Sequence, residues 1–432
     1  MEPGEEIEIV PNEMRLTARP YRMENGVQPY SWGARGKTAF IPQLLGIDPA
    51  GNEPYAELWI GAHPTLPSGV LLDAGRVPLD QLIARCPEMI LGEAVAARFG
   101  GQLPFLFKVL SAAEPLSIQA HPNKEQGKQL HQRDPEHYPD ANHKPEVAIA
   151  LDSLTALVGF RPLEDLANVL QRYPGIREFV GVAVAEQLSA AADADATGRR
   201  DAARRRAAQC LVTALMNRAE LEPECLEQAV QNVAAQLDGV SELDETETLF
   251  LDVLRRYGTT DVGVVYVFLL NLVYLEPWQG LYIPAGIPHA YLRGNIVECM
   301  ANSDNVVRVG LTQKFKDTEA LIDILTYDEG PVSILQGRSI AHRTVYPTPA
   351  AEFEVAHLSL ASGETVVLDS GMGPQVLLLL RGQVLAEWAN PEFNGSDHYG
   401  QGESMLVPAA ADSVRLTARQ PVDVVRVVVP LK

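Results

Sequence analysis

The spacing of hydrophobic and polar positions changes twice along the chain, and the two changes divide it. From Tyr21 to about residue 161 apolar residues come in short runs or alternate with polar ones. Residues 55–64 alternate, residues 105–110 are continuously apolar except for Lys108, and residues 147–151 are apolar again, each predicting a strand. Between 163 and about 257 the period becomes helical. Leu226, Ala229, Val230, Val233 and Leu237 fall on one face, and Leu163, Leu166, Val169 and Leu170 form a similar stripe. Strand character returns over residues 264–275, and from about residue 343 several short strands follow, among them 375–380 and 422–429. Shorter helices are expected at 37–45 and 124–132.

These switches predict a mainly β chain interrupted by helices. Its first β domain comprises residues 21–161 and 264–335, with a helical insertion at 162–263 and a C-terminal β domain at 336–432. Residues 1–20 carry Glu5, Glu6 and Glu8 without an apolar stripe and read as a disordered leader. A chain of 432 residues is long enough for two or three cores.

Composition narrows the partners. Hydrophobic residues make up 46% and charged residues 21%, as in soluble globular proteins. The net charge of −21 argues against nucleic acid and against a basic membrane-surface role, so an anionic substrate needs a local cluster of cations. No run has the length of a membrane span, and no secretory signal is visible, which points to the cytoplasm. Cys86, Cys210, Cys225 and Cys299 form no C-x-x-C pair and are expected to be buried free thiols. The arginines at 199, 200 and 204–206 read as a solvated helix face, and Lys314 and Lys316 as surface charges. His63 either lines a site or is a structural loop histidine before a proline, and His131, His137 and His143 are expected to be loop residues without a ligand role.

Ligand chemistry concentrates at Ser117-Ile118-Gln119-Ala120-His121-Pro122 and Asn142-His143-Lys144-Pro145-Glu146. In a strand Ser117, Gln119 and His121 share a face, and His121 and Glu146 are good ligands for a borderline divalent cation. Residues 280–291 carry the pattern G-x₃-P-x-G-x₂-H, which resembles the turn signature of a cupin, a small double-sheet β-barrel. It supplies a further histidine, His289. Residues 402–413 resemble the same signature with Ala410 for its second glycine and Ser413 for its histidine, which suggests a second, metal-free copy.

These stretches occur in order with Gln-Pro-Tyr-Ser-Trp-Gly at 28–33, Ala-Glu-Leu-Trp-Ile-Gly-Ala-His-Pro at 56–64 and Asn-Ser-Asp-Asn-Val-Val-Arg-Val-Gly-Leu-Thr at 302–312. The set resembles the type I mannose-6-phosphate isomerases, a zinc-dependent cupin family. The resemblance implies two cupin-like (jelly-roll) β-barrel domains, one zinc ion per chain held by Gln119, His121, Glu146 and His289, and conversion of mannose 6-phosphate to fructose 6-phosphate through a cis-enediol. It makes Arg308 the active-site arginine, places Ser117, Lys108 and Lys144 with Arg308 in the polar pocket at the phosphosugar, and gives Glu298 and Asp304 roles in proton handling. Lys144, two residues from a ligand, would serve either as the base itself or as a plain cation. Glu298 and Asp304 would equally serve by ion pairing with Arg308. A monomer is expected. Gln313 departs from the family's usual proline, and Trp278-Gln279 from its common Gly-Glu. Another metal-dependent cupin enzyme, such as an iron oxygenase, and a non-catalytic sugar-phosphate binder are the competing readings.

Overall fold

The structure, a computed structural model, describes residues 16–193, 200–369, 373–389 and 394–431. The leader expected at 1–20 lies outside the described residues as far as residue 15, and Arg199 lies outside them too. The described chain is rich in strands, and every ladder between its named strands is antiparallel.

One sheet of eleven strands carries the ligand segments. Its spine is the strand His289–Ala301, which pairs through its second half with Phe105–Ala112 on one side and Glu146–Ala150 on the other. Its first half pairs with Leu154–Phe160, and its first residue, His289, stands opposite Gln119 of Ile118–Ala120. The strand Val307–Gly310 joins this edge with Arg308 opposite Gln119. Four segments scattered over almost two hundred residues thus meet on neighbouring strands.

A nine-stranded sheet combines C-terminal strands with two N-terminal excursions. Tyr21–Glu24 pairs with Ser404–Val407, and Gly69–Leu72 then pairs with Tyr21–Glu24. Buried side chains from both large sheets, among them Leu58, Phe107, Val297, Leu378 and Val425, form one hydrophobic cluster. The C-terminal segment also builds a four-stranded sheet, with Leu377, Val384, Met405 and Leu416 in a core of its own.

The helical block follows its apolar stripes closely. The buried residues of Pro223–Leu237 are the five of the predicted face, and those of Leu163–Arg172 include all four of theirs. The stripe joins a core that also contains Ile118, Ala290 and Val309, so the helices back the strands that carry Gln119, His289 and Arg308.

Three local readings need correction. Residues 263–266 form a helical turn, Gly263–Tyr266, and the strand is confined to Leu270–Leu275. The run is buried on every side, so it lacks the alternation by which a strand is told from a helix. Arg204 is not part of a solvated face: it is 7% exposed and bonds both carboxylate oxygens of Glu164 at 2.7 and 2.8 Å and Glu329 at 2.5 Å. Those bonds clamp the helix Arg200–Leu221 to the first helix of the block, Leu163–Arg172, and to the chain beyond the block at Glu329. Of the cysteines only Cys299 is buried; Cys86 and Cys210 are half-buried and Cys225 is exposed, all four as free thiols. Among the described residues no helix is long and apolar enough to cross a membrane.

Candidate metal centre and active-site cavity

His121, Glu146 and His289 converge although their segments are far apart in the chain. Their ligating atoms all lie within 4.8 Å of one another. The Nε2 atoms of His121 and His289 lie 3.4 and 3.2 Å from the two carboxylate oxygens of Glu146. All three side chains are essentially excluded from solvent.

The rings are oriented from behind. Nδ1 of His121 donates to the carbonyl of Asn305 at 2.9 Å, and Nδ1 of His289 to that of Ile287 at 3.1 Å. With Nδ1 so engaged, each Nε2 lone pair faces inward, the arrangement by which metal-binding histidines are aimed. His121 Nε2, His289 Nε2 and Glu146 Oε2 have no hydrogen-bond partner despite being buried. Three orphaned inward-facing donors in one spot are costly unless a cation satisfies them. Burial, first of all, lowers the His121 imidazole to about 4, which leaves it neutral and able to ligate. Burial opposes the charge of Glu146, but the facing His121 and Lys144 outweigh it and hold the carboxyl well below its ordinary range. The set therefore fits a divalent ion such as zinc.

Backbone ties keep the segments together. The Gly286 N–H donates to the His121 carbonyl at 2.9 Å. Gly286 has φ +77°, and a Cβ there would stand 2.6 Å from the carbonyl oxygen of Ile324, so the turn ahead of His289 admits only glycine. Asn305 Nδ2 donates to the carbonyls of Asp140 and Asn142 at 2.7 and 2.9 Å, which joins the loop before Lys144 to the loop before Arg308. The buried Asp261 carboxylate accepts the N–H groups of Gly263 and Leu311 at 2.8 Å each, fixing the chain where it leaves the Arg308 strand.

A cavity of about 480 Å³ opens beside this cluster. Gln119 and Glu146 border it, as do all the other residues expected at the substrate: Ser117, Lys108, Lys144, Glu298, Asp304 and Arg308. Gln119 is half-buried, and its Oε1 lies 3.5 Å from Ser117 Oγ.

The cations on this wall differ in what holds them. Lys108 is 6% exposed, with its ammonium 3.3 Å from Glu57 and 3.4 Å from Glu298. Burial disfavours its charge, but Glu57, Glu298 and Glu146 outweigh that and push its pKa up. Lys144 is 3.5 Å from Glu146. Arg308 makes no ion pair or side-chain hydrogen bond among the described residues, and burial lowers its pKa. Glu298 is therefore not its ion-pair partner, and neither is Asp304, which faces His63. Burial first, then the charge of Glu146, raises the Glu298 carboxyl to about 7.

Several residues at the cavity escaped the sequence reading. Lys314 borders it with its ammonium 5.3 Å from the centre of the Tyr30 ring, whereas Lys316 does not reach it. Tyr291 lines it with a buried hydroxyl beside Glu298, and strand alternation from His289 is the signal that finds it. Glu57 was legible only as a polar position on an alternating strand. Of the other histidines, His131 sits on the helix Lys124–Arg133 rather than in a loop and bonds the Tyr138 carbonyl. His137 pairs with Asp134, and His143 points to Glu352 at 2.8 Å. Trp278, where the family commonly has glycine, adopts φ +69° and stacks on His357 at 3.5 Å. Gln313 is exposed at the cavity edge.

Comparison with known proteins agrees with this geometry. The model of the phosphomannose isomerase type I catalytic domain matches residues 21–163. Mannose-6-phosphate isomerase of Ogataea parapolymorpha is 36% identical over 388 residues, covering 86% of this chain and 89% of that protein. The chain belongs to the mannose-6-phosphate isomerase family. Another member, from Schizosaccharomyces pombe, is 37% identical over 84% of this chain and 89% of its own length. A zinc-bound crystal structure of mannose 6-phosphate isomerase superposes with a TM-score of 0.81 at 30% identity, covering 95% of this chain and all of the other.

Proposed function

We infer that the protein is a zinc-dependent mannose-6-phosphate isomerase, interconverting mannose 6-phosphate and fructose 6-phosphate. The observation that carries the reading is the trio of orphaned inward-facing ligands, His121, Glu146 and His289, beside a cavity that Glu146 borders and that also holds an arginine unpaired among the described residues. Family membership over most of the chain supports it.

In this reading Gln119 completes the metal set with the three clustered residues. When bound by these residues, zinc would supply Lewis-acid stabilisation of the charge that develops on the sugar oxygens. The reaction moves one proton between C2 and C1 and another between O2 and O1 through a cis-enediol, and the chain's own groups orient the sugar and handle those protons. Arg308 binds the phosphosugar anion and offsets developing negative charge, with Ser117 and Lys108 beside it; such charge-assisted contacts are strong in a site that excludes water. Lys144, Glu298 and Asp304 border the same cavity and form the proton-handling set. Glu298, with its carboxyl near neutrality, is suited to exchange a proton at physiological pH.

The architecture we assign is two cupin-like (jelly-roll) units, the first comprising 21–161 and 264–335, the second 336–432, with 162–263 inserted as helices. The antiparallel sheets and the separate C-terminal core support it. The four free thiols suit a reducing, cytoplasmic compartment, and the monomeric state is carried from the sequence reading. Neither an oxygenase nor a mere binder is favoured, since the cavity beside the ligand trio is lined by cations suited to a phosphate. A coupled assay that follows fructose 6-phosphate formed from mannose 6-phosphate tests the reading. Turnover is expected; its absence in metal-loaded protein would sink it.

A further inference from the structure

A short segment after the strand Glu57–Gly61 touches the site in a way that ligand chemistry does not explain. His63 is 3% exposed, and its Nε2 lies 3.2 Å from Oδ2 of Asp304. Its Nδ1 accepts the Thr65 N–H at 3.2 Å, which places the ring proton on Nε2, aimed at the carboxylate. The ring stands edge-on to Trp59, with centroids 4.9 Å apart and planes at 79°. Trp59 Nε1 in turn donates to Glu57 at 2.6 Å, and Glu57 holds Lys108. Residues 57–63 thus reach two charged groups of the cavity from one rigid stretch.

Asp304 needs such a hold. Its backbone is anchored independently, with its N–H donating to Asp140 at 2.7 Å. Its carboxylate has His63 as its one side-chain partner among the described residues, and the side chain is 45% exposed. It also stands between two spaces: the cavity beside the ligand trio, and an adjoining one of about 640 Å³ lined by His63, Asp80 and Asn302 as well as Asp304. Without the imidazole, the carboxylate is free to turn away from the sugar into the second space.

We propose that His63 is a positioning residue that holds the Asp304 carboxylate at the rim of the catalytic cavity and seals that rim against the adjoining one. This rests on the functional reading above, in which Asp304 belongs to the proton-handling set. His63 itself touches no substrate and acts only through Asp304.

The test uses the metal-loaded full chain with mannose 6-phosphate. His63→Phe is expected to lower kcat by about 10²-fold, as misplacement of a reacting group does, with KM changing by less than about threefold. His63→Gln, whose amide N–H can still reach the carboxylate, recovers most of that loss. In an Asp304→Asn background His63→Phe costs nothing further. Should His63→Phe not fold, His63→Asn, which keeps an amide too short to reach Asp304, takes its place. An active wild type with unchanged kcat in His63→Phe, or an equal loss in the Asp304→Asn background, overturns the proposal alone. A wild type without turnover overturns the functional reading and this proposal together.

Discussion

Lys108 and Arg308 look alike in the sequence, two cations set among apolar residues of strands, yet the structure treats them differently. Lys108 lies between Glu57 and Glu298 at 3.3 and 3.4 Å, its charge already matched. Arg308 has no partner among the described residues and faces the cavity. A buried cation with two carboxylates is held by the framework; a half-buried one with none among the described residues is held by no opposite charge. In the proposed function Arg308, more than Lys108, is the cation left to meet an anionic substrate. Lys108 serves chiefly to keep two carboxylates together beside the metal trio.

Three substitutions sharpen the contrast. Arg308→Met should have the largest effect on turnover, lowering kcat/KM about 10³-fold, or ~4 kcal/mol, while leaving the melting temperature nearly unchanged, because no partner is orphaned. Steady-state kinetics beside thermal unfolding checks this; a large fall in melting temperature would mean that the arginine is paired after all. Lys108→Met should invert the pattern. It leaves Glu57 and Glu298 buried and facing each other, so unfolding in denaturant should show a loss of ~3 kcal/mol. A Glu57→Gln change added to it should return part of that loss. If Lys108→Met were fully stable, the carboxylates would not depend on it. Lys314→Met should be mildest, raising KM about threefold at unchanged kcat, since an exposed cation at the cavity edge gives little more than a surface ion pair does. A loss in kcat instead would move Lys314 from the edge to the reacting atoms.

How much of this was legible in the sequence depends on how local the signal is. The apolar face at 226–237 was read residue for residue and that at 163–170 in all but Ala167, because a helical stripe is decided by its own spacing. The ligand segments were legible because each carries a ligand type beside a turn signal. What failed was whatever depends on a distant partner. Arg204 sits in an arginine-rich run that reads as solvated, yet its carboxylates come from residues 164 and 329. His63 read as a site residue or a structural loop histidine until Asp304 arrived from 241 residues away. Pairing of Tyr21–Glu24 with Ser404–Val407 spans almost the whole chain, and no local period announces it. The run at 263–266 failed for the opposite reason, being apolar on all sides.

In the proposed function the orphaned ligand atoms of His121, Glu146 and His289 hold a divalent ion on which isomerisation depends. The direct measurement is turnover of mannose 6-phosphate against bound metal, from fully stripped protein through stepwise return of zinc. No turnover is expected in the stripped protein, and recovery in proportion to zinc, complete at one ion per chain. Turnover that persisted after complete metal removal would contradict it.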